Sequence, residues 1–543
     1  MTRPGIRPRS PFRALLTAVL LGPLLSGCLL SPDQWEADAD AEVGTVLDNY
    51  DFEILGNRET WVRHPEERDP NETADIGDSA VESSTGPVRL DLESALEHAV
   101  TTGREFLDQK DTLFTQGMSF TLTRFNFGPL FSSTLDALWT DVEEGAESFS
   151  YGGDLGISKI LTTGGTLSFS GDVGTTVSDD PNPSLLNPTP DRSYDTDYSL
   201  SLNQPLLRGA GYEVAWEPLT QSERNLIYSV RQFELFREDF SISIANDYYR
   251  LVGERRQLDN LEADYEQAVF DREKALALRL MDRNQDEDVF LAQRREIDTE
   301  SNLISQRTQF KRNVDDFKIR LGLATTTEVE IVEARPEFQA VRIDPESAVE
   351  VALHNRLDLI TERQRIEDRE RGVRIASNGL MPDVDLVLTR TGTGSDRDFG
   401  NANPSQSTNS AGISIEIPLQ RKSERNAYRQ ALIDLAQAER DYQRTLDQVE
   451  RDVLDQLREL DRLEKDIELQ ELQIVQEQRA VAISEIRWEN GEIENRDLLD
   501  ARDSLVRAEN ALIDATVDHF IARLRLLREL GLLFIDPDGM WRA

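Results

Sequence analysis

Two groups of carboxylates stand where the chain turns back on itself. Asp282, Asp286, Glu287 and Asp288 form one, and Glu489, Glu492, Glu494 and Asp497 form the other. Neighbouring acids can relay protons or hold cations, but with 102 acidic residues such pairs arise from numbers alone. Their presence is therefore no sign of catalysis, and the other groups that carry chemistry give no support either. His64, His98, His354 and His519 share no metal-ligand spacing, and Cys28 is the only cysteine, so neither zinc nor an internal disulfide has support. No GxxxxGK[ST] segment is present, and Gly152-Gly153 and Gly164-Gly165 punctuate strands without leading into a helix. The expectation is no catalytic activity, no cofactor and no metal. The acids could instead line a cation-attracting conduit, coat solvated helical faces or reflect a saline habitat, and composition leaves all three open.

Cys28 has a chemistry of its own. Arg3, Arg7, Arg9 and Arg13 precede an apolar run from Ala14 to Leu25, the parts of a secretory signal. The run is shorter than the roughly 20 residues that span a bilayer. Leu25-Ser26-Gly27-Cys28 resembles the lipobox of bacterial lipoproteins, which implies removal of residues 1–27 and acylation of Cys28. An ordinary signal with an incidental cysteine is the alternative. Leu29 and Leu30 follow, with no aspartate beside the cysteine, which by the same resemblance implies sorting to the outer membrane. Each acyl CH₂ buried in lipid adds roughly 0.8 kcal/mol of anchoring.

The formal charge is −42, and subtracting the four leader arginines gives −46. Such a chain repels nucleic acid, so no nucleic-acid partner is expected. Residues 28–88 read as an acidic N-terminal tether, mostly extended from Ser31 to Pro87, with Trp35, Ile54 and Trp61 as docking points.

The elements that must position these groups are written twice. Glu93-Ser94-Ala95 recurs as Glu346-Ser347-Ala348 and Pro129 as Pro382, both 253 positions apart. Arg320-Leu321-Gly322-Leu323 returns as Glu529-Leu530-Gly531-Leu532. Apolar residues from Ala438 through Tyr442, Leu446, Val449, Val453, Leu457, Leu460, Leu463 and Ile467 step by three and four, the seam of a coiled coil. A helix from Glu424 to Glu489 is on the order of 100 Å long at 1.5 Å per residue. Asn490-Gly491 supplies a turn, and Leu498, Ala501, Leu505, Ala508, Leu512, Ala515 and His519 mark the return, ending at Gly531. The first copy makes the same hairpin over 217–322, turning near Asp282–Glu287, with Asp288 and Asp497 as expected helix N-caps.

Between the short first helix and the long hairpin of each copy lies a period of two. Val384, Leu386 and Leu388 alternate, as do Ile413, Ile415 and Ile417, across a polar loop from Ser395 to Pro404. Segments of this kind are the weak signature of a transmembrane β-barrel, with an ordinary half-exposed hairpin as the alternative. Copy one has the same frame at Leu130–Thr140 and Asp197–Leu202, with 40 extra residues that hold a second hairpin around Gly164-Gly165. Four frame strands per chain cannot close a barrel, since spanning barrels begin at 8.

From Leu90 to Phe534 the order of these elements resembles the TolC family of bacterial outer membrane efflux proteins. The phrases Asn203-Gln204-Pro205-Leu206-Leu207-Arg208-Gly209, Ile415-Glu416-Ile417-Pro418-Leu419 and Asn495-Arg496-Asp497-Leu498-Leu499-Asp500-Ala501 carry the likeness. The resemblance implies a mixed α and membrane β fold with two internal repeats, 89–335 and 336–543. Its strands (130–140 and 154–206 with the inserted hairpin, then 383–394 and 411–418) would contribute to a twelve-stranded β-barrel shared by a homotrimer. Its coiled-coil hairpins (217–322 and 424–531) would form a tunnel through the periplasm. It implies a passive exit duct in outer-membrane lipid, docking to a periplasmic adaptor (membrane fusion) protein and driven by an inner-membrane pump or secretion ATPase. Gating would occur at the hairpin tips, with the eight tip carboxylates as aperture candidates and Leu280, Met281, Trp488 and Gly491 as adaptor contacts. The inserted hairpin departs from the family plan and would either extend the barrel wall or form a separate surface sheet. The alternatives to the duct are a periplasmic coiled-coil adaptor and a structural envelope lipoprotein without a pore.

Overall fold

A computed structural model describes residues 31–55, 88–140, 147–179, 191–281, 286–332, 339–490, 492–493 and 495–542. In chain order the elements are α1 (Pro32–Leu55), β1 (Val88–Leu90), α2 (Leu92–Thr102), α3 (Arg104–Asn126), β2 (Leu130–Thr140), β3 (Glu147–Ile160), β4 (Thr166–Asp179), β5 (Asp191–Pro205), α4 (Tyr212–Ala215), α5 (Glu217–Leu280) and α6 (Asp286–Arg320). The second half continues with β6 (Val329–Ile331), α7 (Pro345–Asn355), α8 (Leu357–Asn378), β7 (Asp383–Asp396), β8 (Gln406–Glu416), α9 (Lys422–Glu489), α10 (Asn495–Glu529), β9 (Phe534–Ile535) and β10 (Trp541–Arg542).

The duplication holds at atomic detail. Asp91 caps α2 through Ser94, and Asp344 caps α7 through Ser347, again 253 apart. Both return helices, α6 and α10, have 35 residues. Each ends on a left-handed glycine, Gly322 at φ 77° and Gly531 at φ 67°. Leu323 N–H donates to Lys318 O at 2.8 Å and Leu532 N–H to Leu527 O at 2.9 Å, closing the exposed carbonyls of the last turn. Gly322 lies against Thr102 at the end of α2, and Gly531 against Asn355 at the end of α7.

Burial concentrates where the short helices meet the middle of the rods. Phe106 of α3 stacks among Phe233, Phe236 and Phe240 of α5, joined by Tyr248, Phe317, Phe520 and Leu524. A second cluster joins α7 to α9 and α10 through Ala352, Val453, Leu460 and Leu526. The seam read from sequence is real: Val449, Val453, Leu460 and Leu463 are buried while the charges between them are exposed, apart from half-buried Asp452 and Glu459.

Several expectations need correction. The segment from Ser31 is not extended over its first part. Val43, Val46, Leu47 and Tyr50 repeat at helical spacing, and α1 buries them on Leu113 and Phe120 of α3 and Leu226 and Val230 of α5. Tyr50 O–H donates to Glu223 at 2.6 Å. Trp35 is exposed, so it does not dock the segment; Trp61 and the side chain of Ile54 lie outside the described residues. Asp288 and Asp497 are not caps. Each is the third residue of its helix, in the first turn, where a negative charge still favours the helix dipole.

All six long strands form one antiparallel sheet in the order β2-β3-β4-β5-β7-β8. β2 has its expected bounds, Leu130–Thr140, whereas β7 and β8 are longer than expected. The first two residues of the polar loop, Ser395 and Asp396, belong to β7, β8 already starts at Gln406, and Tyr194–Pro205 pairs without a break along β7. The inserted hairpin is not a separate sheet; it lies between β2 and β5.

Candidate functional site: the sheet faces and the hairpin tips

Register sorts the side chains of the sheet onto two chemically different faces. Phe131, Leu135 and Trp139 of β2 are opposite Ile157, Gly153 and Phe149 of β3. Phe149, Ile157 and Lys159 oppose Val177, Phe169 and Leu167 of β4, and these continue to Arg192, Leu200 and Leu202 of β5. Leu202 then meets Leu388 of β7, while Leu386 and Val384 meet Ile413 and Ile415 of β8. One face is therefore predominantly apolar on every strand, interrupted by Arg390 opposite Leu200 and by Lys159 and Arg192 toward the strand ends, and it holds nearly all the exposed large hydrophobic side chains of the described strands; Leu138 and Val387 are the exceptions. Water does not favour such a surface at this size, whereas hydrocarbon does. Aromatic rings gather at its two ends. Phe149 lies 5.7 Å from Tyr151, and Tyr194 lies 5.6 Å from Phe399, at one end; Phe127, Tyr212 and Trp216 pack together beside the helices at the other. Amphipathic rings at both ends of an apolar band suit a membrane's two interfaces.

The opposite face is polar. Ser132, Thr134 and Asp136 of β2, Ser150 and Asp154 of β3, and Ser168, Ser170 and Asp172 of β4 share it with Asp195, Asp197, Ser199 and Ser201 of β5. Asp154, Asp172 and Asp197 are consecutive register partners, so three carboxylates form a row across three strands, flanked by Asp136 and Asp195. Like charges directly opposite one another oppose folding. The row is tolerable only beside water, and there it presents a band of negative potential. Sequence reading missed it because the pairing that aligns these acids joins residues that are 18 and 25 positions apart.

At the other end of the molecule lie the tips. Leu280 and Met281 end the first long helix at 90% and 69% exposure. Asp286 and Glu287 are exposed and Asp288 is half-buried. Arg279 N–H donates to Asp286 at 2.5 Å, and this bond holds the Asp286 carboxyl below its usual range. The second tip has a similar clasp: Arg487 lies 3.4 Å from Glu492, whose N–H donates to Arg487 O at 2.8 Å. Asp497 is exposed. Trp488 is not a free contact surface, because Lys274 of α5 sits 4.0 Å above its ring. Asp282, Gly491, Glu494 and the side chain of Glu489 lie outside the described residues, as does Cys28.

Between the two hairpins runs a seam that sequence reading did not find. Gln257 of α5 donates to Asp514 of α10 at 3.0 Å, and Asn260 donates to Asn510 at 2.8 Å. Burial pushes the carboxyls of Glu254 and Asp514 up. Nearer the tips, Arg295 of α6 bonds Asp264 at 2.8 Å and Asp503 at 3.0 Å. Arg502 of α10 bonds Asp271 of α5 at 2.7 Å and Glu485 of α9 at 2.8 Å. These two arginine clamps bridge the hairpins near the tips, beyond the apolar cluster that joins the rods at their middle.

His519, in the apolar seam of α10, is buried 3.8 Å from Glu464, and burial lowers its pKa. No group of three or more metal-ligating side chains occurs among the described residues, and no described helix is long and apolar enough to cross a membrane.

Residues 348–532, most of the second repeat, match the family described as outer membrane efflux protein. No curated protein is significantly similar in sequence. The fold is shared with solved outer-membrane channels. OprN is 17% identical, with a TM-score of 0.61 over 81% of this chain and 89% of its own. VceC of Vibrio cholerae is 16% identical, with a TM-score of 0.61 over 81% and 96%. MtrE of Neisseria gonorrhoeae, solved in an open state, is 13% identical, with a TM-score of 0.57 over 83% and 90%. The resemblance to the TolC family thus rests on sequence in the second repeat and on fold across four fifths of the chain.

Proposed function

We propose that this chain, with the outer membrane efflux protein pattern in its second repeat and a channel fold over four fifths of its length, is one third of an outer-membrane exit duct. The observation that carries the reading is the six-stranded sheet, predominantly apolar on one face of every strand and polar with a row of acids on the other, mounted on rods about 100 Å long. The sheet stands in the outer membrane with its acidic face toward the bore, and the helical hairpins carry that bore into the periplasm. The duct is passive and performs no chemistry. It serves a tripartite efflux or type I secretion system, with an adaptor engaging the tips around Leu280 and Met281 and an inner-membrane pump or ATPase supplying energy. Acyl chains on Cys28 add a lipid anchor. An adaptor or a poreless envelope lipoprotein would have no use for a continuous apolar sheet face.

The test is electrical. Full-length protein extracted from outer membranes is added to a planar bilayer and stepped through voltage. Discrete, cation-preferring conductance supports the duct. Membrane-extracted protein that never conducts, including after the clamp substitutions described below, overturns it.

A further inference from the structure

We propose that the barrel has eighteen strands, six from each of three copies, with β8 of one copy paired to β2 of the next. The proposal rests on the duct reading and departs from the family plan of four strands per chain. Its first support is the ladder. All 14 residues of β3 pair with β4, and 11 of them pair with β2 on the other side, so the inserted hairpin is an interior part of the sheet. The second is sidedness. The insertion continues the apolar face through Phe149, Leu155, Phe169 and Val173, and the polar face through Ser150, Asp154, Ser170 and Asp172. A hairpin standing in water outside the barrel would not need two such faces.

The third support is the turn. Residues 161–165 sit on the junction between strand β5 and the first long helix. Gly211 N–H donates to Thr163 O at 3.0 Å, Thr163 O–H to Gln204 at 2.5 Å, and Trp216 Nε1–H to Leu161 O at 3.4 Å. Gly164, at φ 90°, packs so closely that a Cβ there would lie 2.4 Å from Gly209 O. The inserted hairpin therefore spans the full height of the sheet and is fastened at the helix end. Strands of 14 residues exceed the roughly 9–11 that cross a membrane.

The occupant of the two open edges is a second copy of this chain. β2 and β8 are each 11 residues long and exposed along almost their whole length. In an antiparallel sheet of six strands they run in opposite directions, so β8 meets the next copy's β2 antiparallel and the alternation continues around the ring. Their apolar residues, Phe131, Leu135 and Trp139 on one and Ile413 and Ile415 on the other, lie on the same face. Long unpaired edges of this kind invite uncontrolled association, and closure into a ring removes them. With strands about 4.8 Å apart and tilted about 40°, eighteen of them give a backbone cylinder about 36 Å across, against about 24 Å for twelve. The insertion widens the membrane pore by half.

A single-particle reconstruction of the full-length, membrane-extracted protein tests this. A threefold particle with eighteen strands in a section through the barrel is expected. A threefold particle with twelve strands and the hairpin outside overturns the proposal and leaves the duct standing, whereas a particle without a barrel overturns the duct itself. A labelling experiment gives an independent check in intact outer membranes. A charged thiol reagent reaches Ser150→Cys and Ser170→Cys from the bore and fails to reach Leu155→Cys and Phe169→Cys in lipid, with the wild-type chain as background. Equal labelling of all four places the hairpin in water and refutes the wide barrel.

Discussion

Removing Arg502 should open the periplasmic end. Its guanidinium is 17% exposed and holds Asp271, itself 9% exposed, at 2.7 Å across the seam between the hairpins, with the more exposed Glu485 as a second partner. Breaking a fully buried pair by deleting one partner costs about 3–5 kcal/mol. Here the site is partly wet, and Gln267 still donates to Asp271 at 3.0 Å, so about 2 kcal/mol is the appropriate scale. If the clamp is made only in the closed arrangement, Arg502→Met shifts the closed-to-open ratio about 30-fold per chain. Single-channel recording at fixed voltage reads this as a rise in open probability. Asp271→Asn keeps a neutral acceptor for Arg502, whose charge is still met by Glu485, so it should shift the ratio less. Arg458→Met is the control, because Arg458 is exposed and pairs with Asp455 on its own helix at 2.7 Å. An intact Arg502→Met channel whose open probability matches the control refutes the clamp.

Other expectations follow from the same geometry. Gly322→Ala should destabilise the chain by about 3 kcal/mol, adding left-handed strain to a Cβ 2.2 Å from Thr102 O; its counterpart Gly531→Ala, with 3.0 Å of clearance, should lose only about 1–2, and thermal unfolding ranks them. Leu200→Lys on the apolar face should cost about 2–4 kcal/mol and reduce assembled protein in membranes, while the adjacent Ser199→Lys should assemble normally, as native electrophoresis will report. Replacing Asp154, Asp172 and Asp197 together by Asn should lower the cation-to-anion permeability ratio by about twofold or more, read from reversal potentials. Burial lowers the pKa of His519, with Glu464 opposing and Arg523 adding to the shift, so the unfolded chain binds the proton more readily. The stability tied to a neutral His519 is therefore complete above pH 6.5 and is lost as pH falls below it toward the depressed value. His519→Gln should flatten stability against pH in that window, and an unchanged profile would dismiss the role.

Much of the architecture was legible because it is local and written twice. Heptad steps from Ala438 to Ile467 fix a helix face without reference to any other element, and Gly322 and Gly531 mark helix ends by their own conformational freedom. Alternation identified the strands, but not which strand neighbours which. The place of the inserted hairpin between β2 and β5, and the alignment of Asp154 with Asp172 and Asp197, are properties of pairing register. The clamps were hidden for the opposite reason. Arg295 and Arg502 are two among many charged residues on helical surfaces, and only the meeting of the two hairpins buries them. In α1 the signal was present, with Val43, Val46, Leu47 and Tyr50 spaced as a helix face, but the acidic composition around them masked it. The tip acids at Asp288 and Asp497 were placed three positions too early relative to their helices, since the true first turns begin at Asp286 and Asn495.

The central claim is that copies of this chain share one membrane barrel. Native mass of the protein extracted from outer membranes in mild detergent, with the detergent contribution subtracted, addresses it most directly. The account predicts three chains per particle, stable to dilution. A monomer would contradict it, because six strands with two open edges cannot close a bore around one chain.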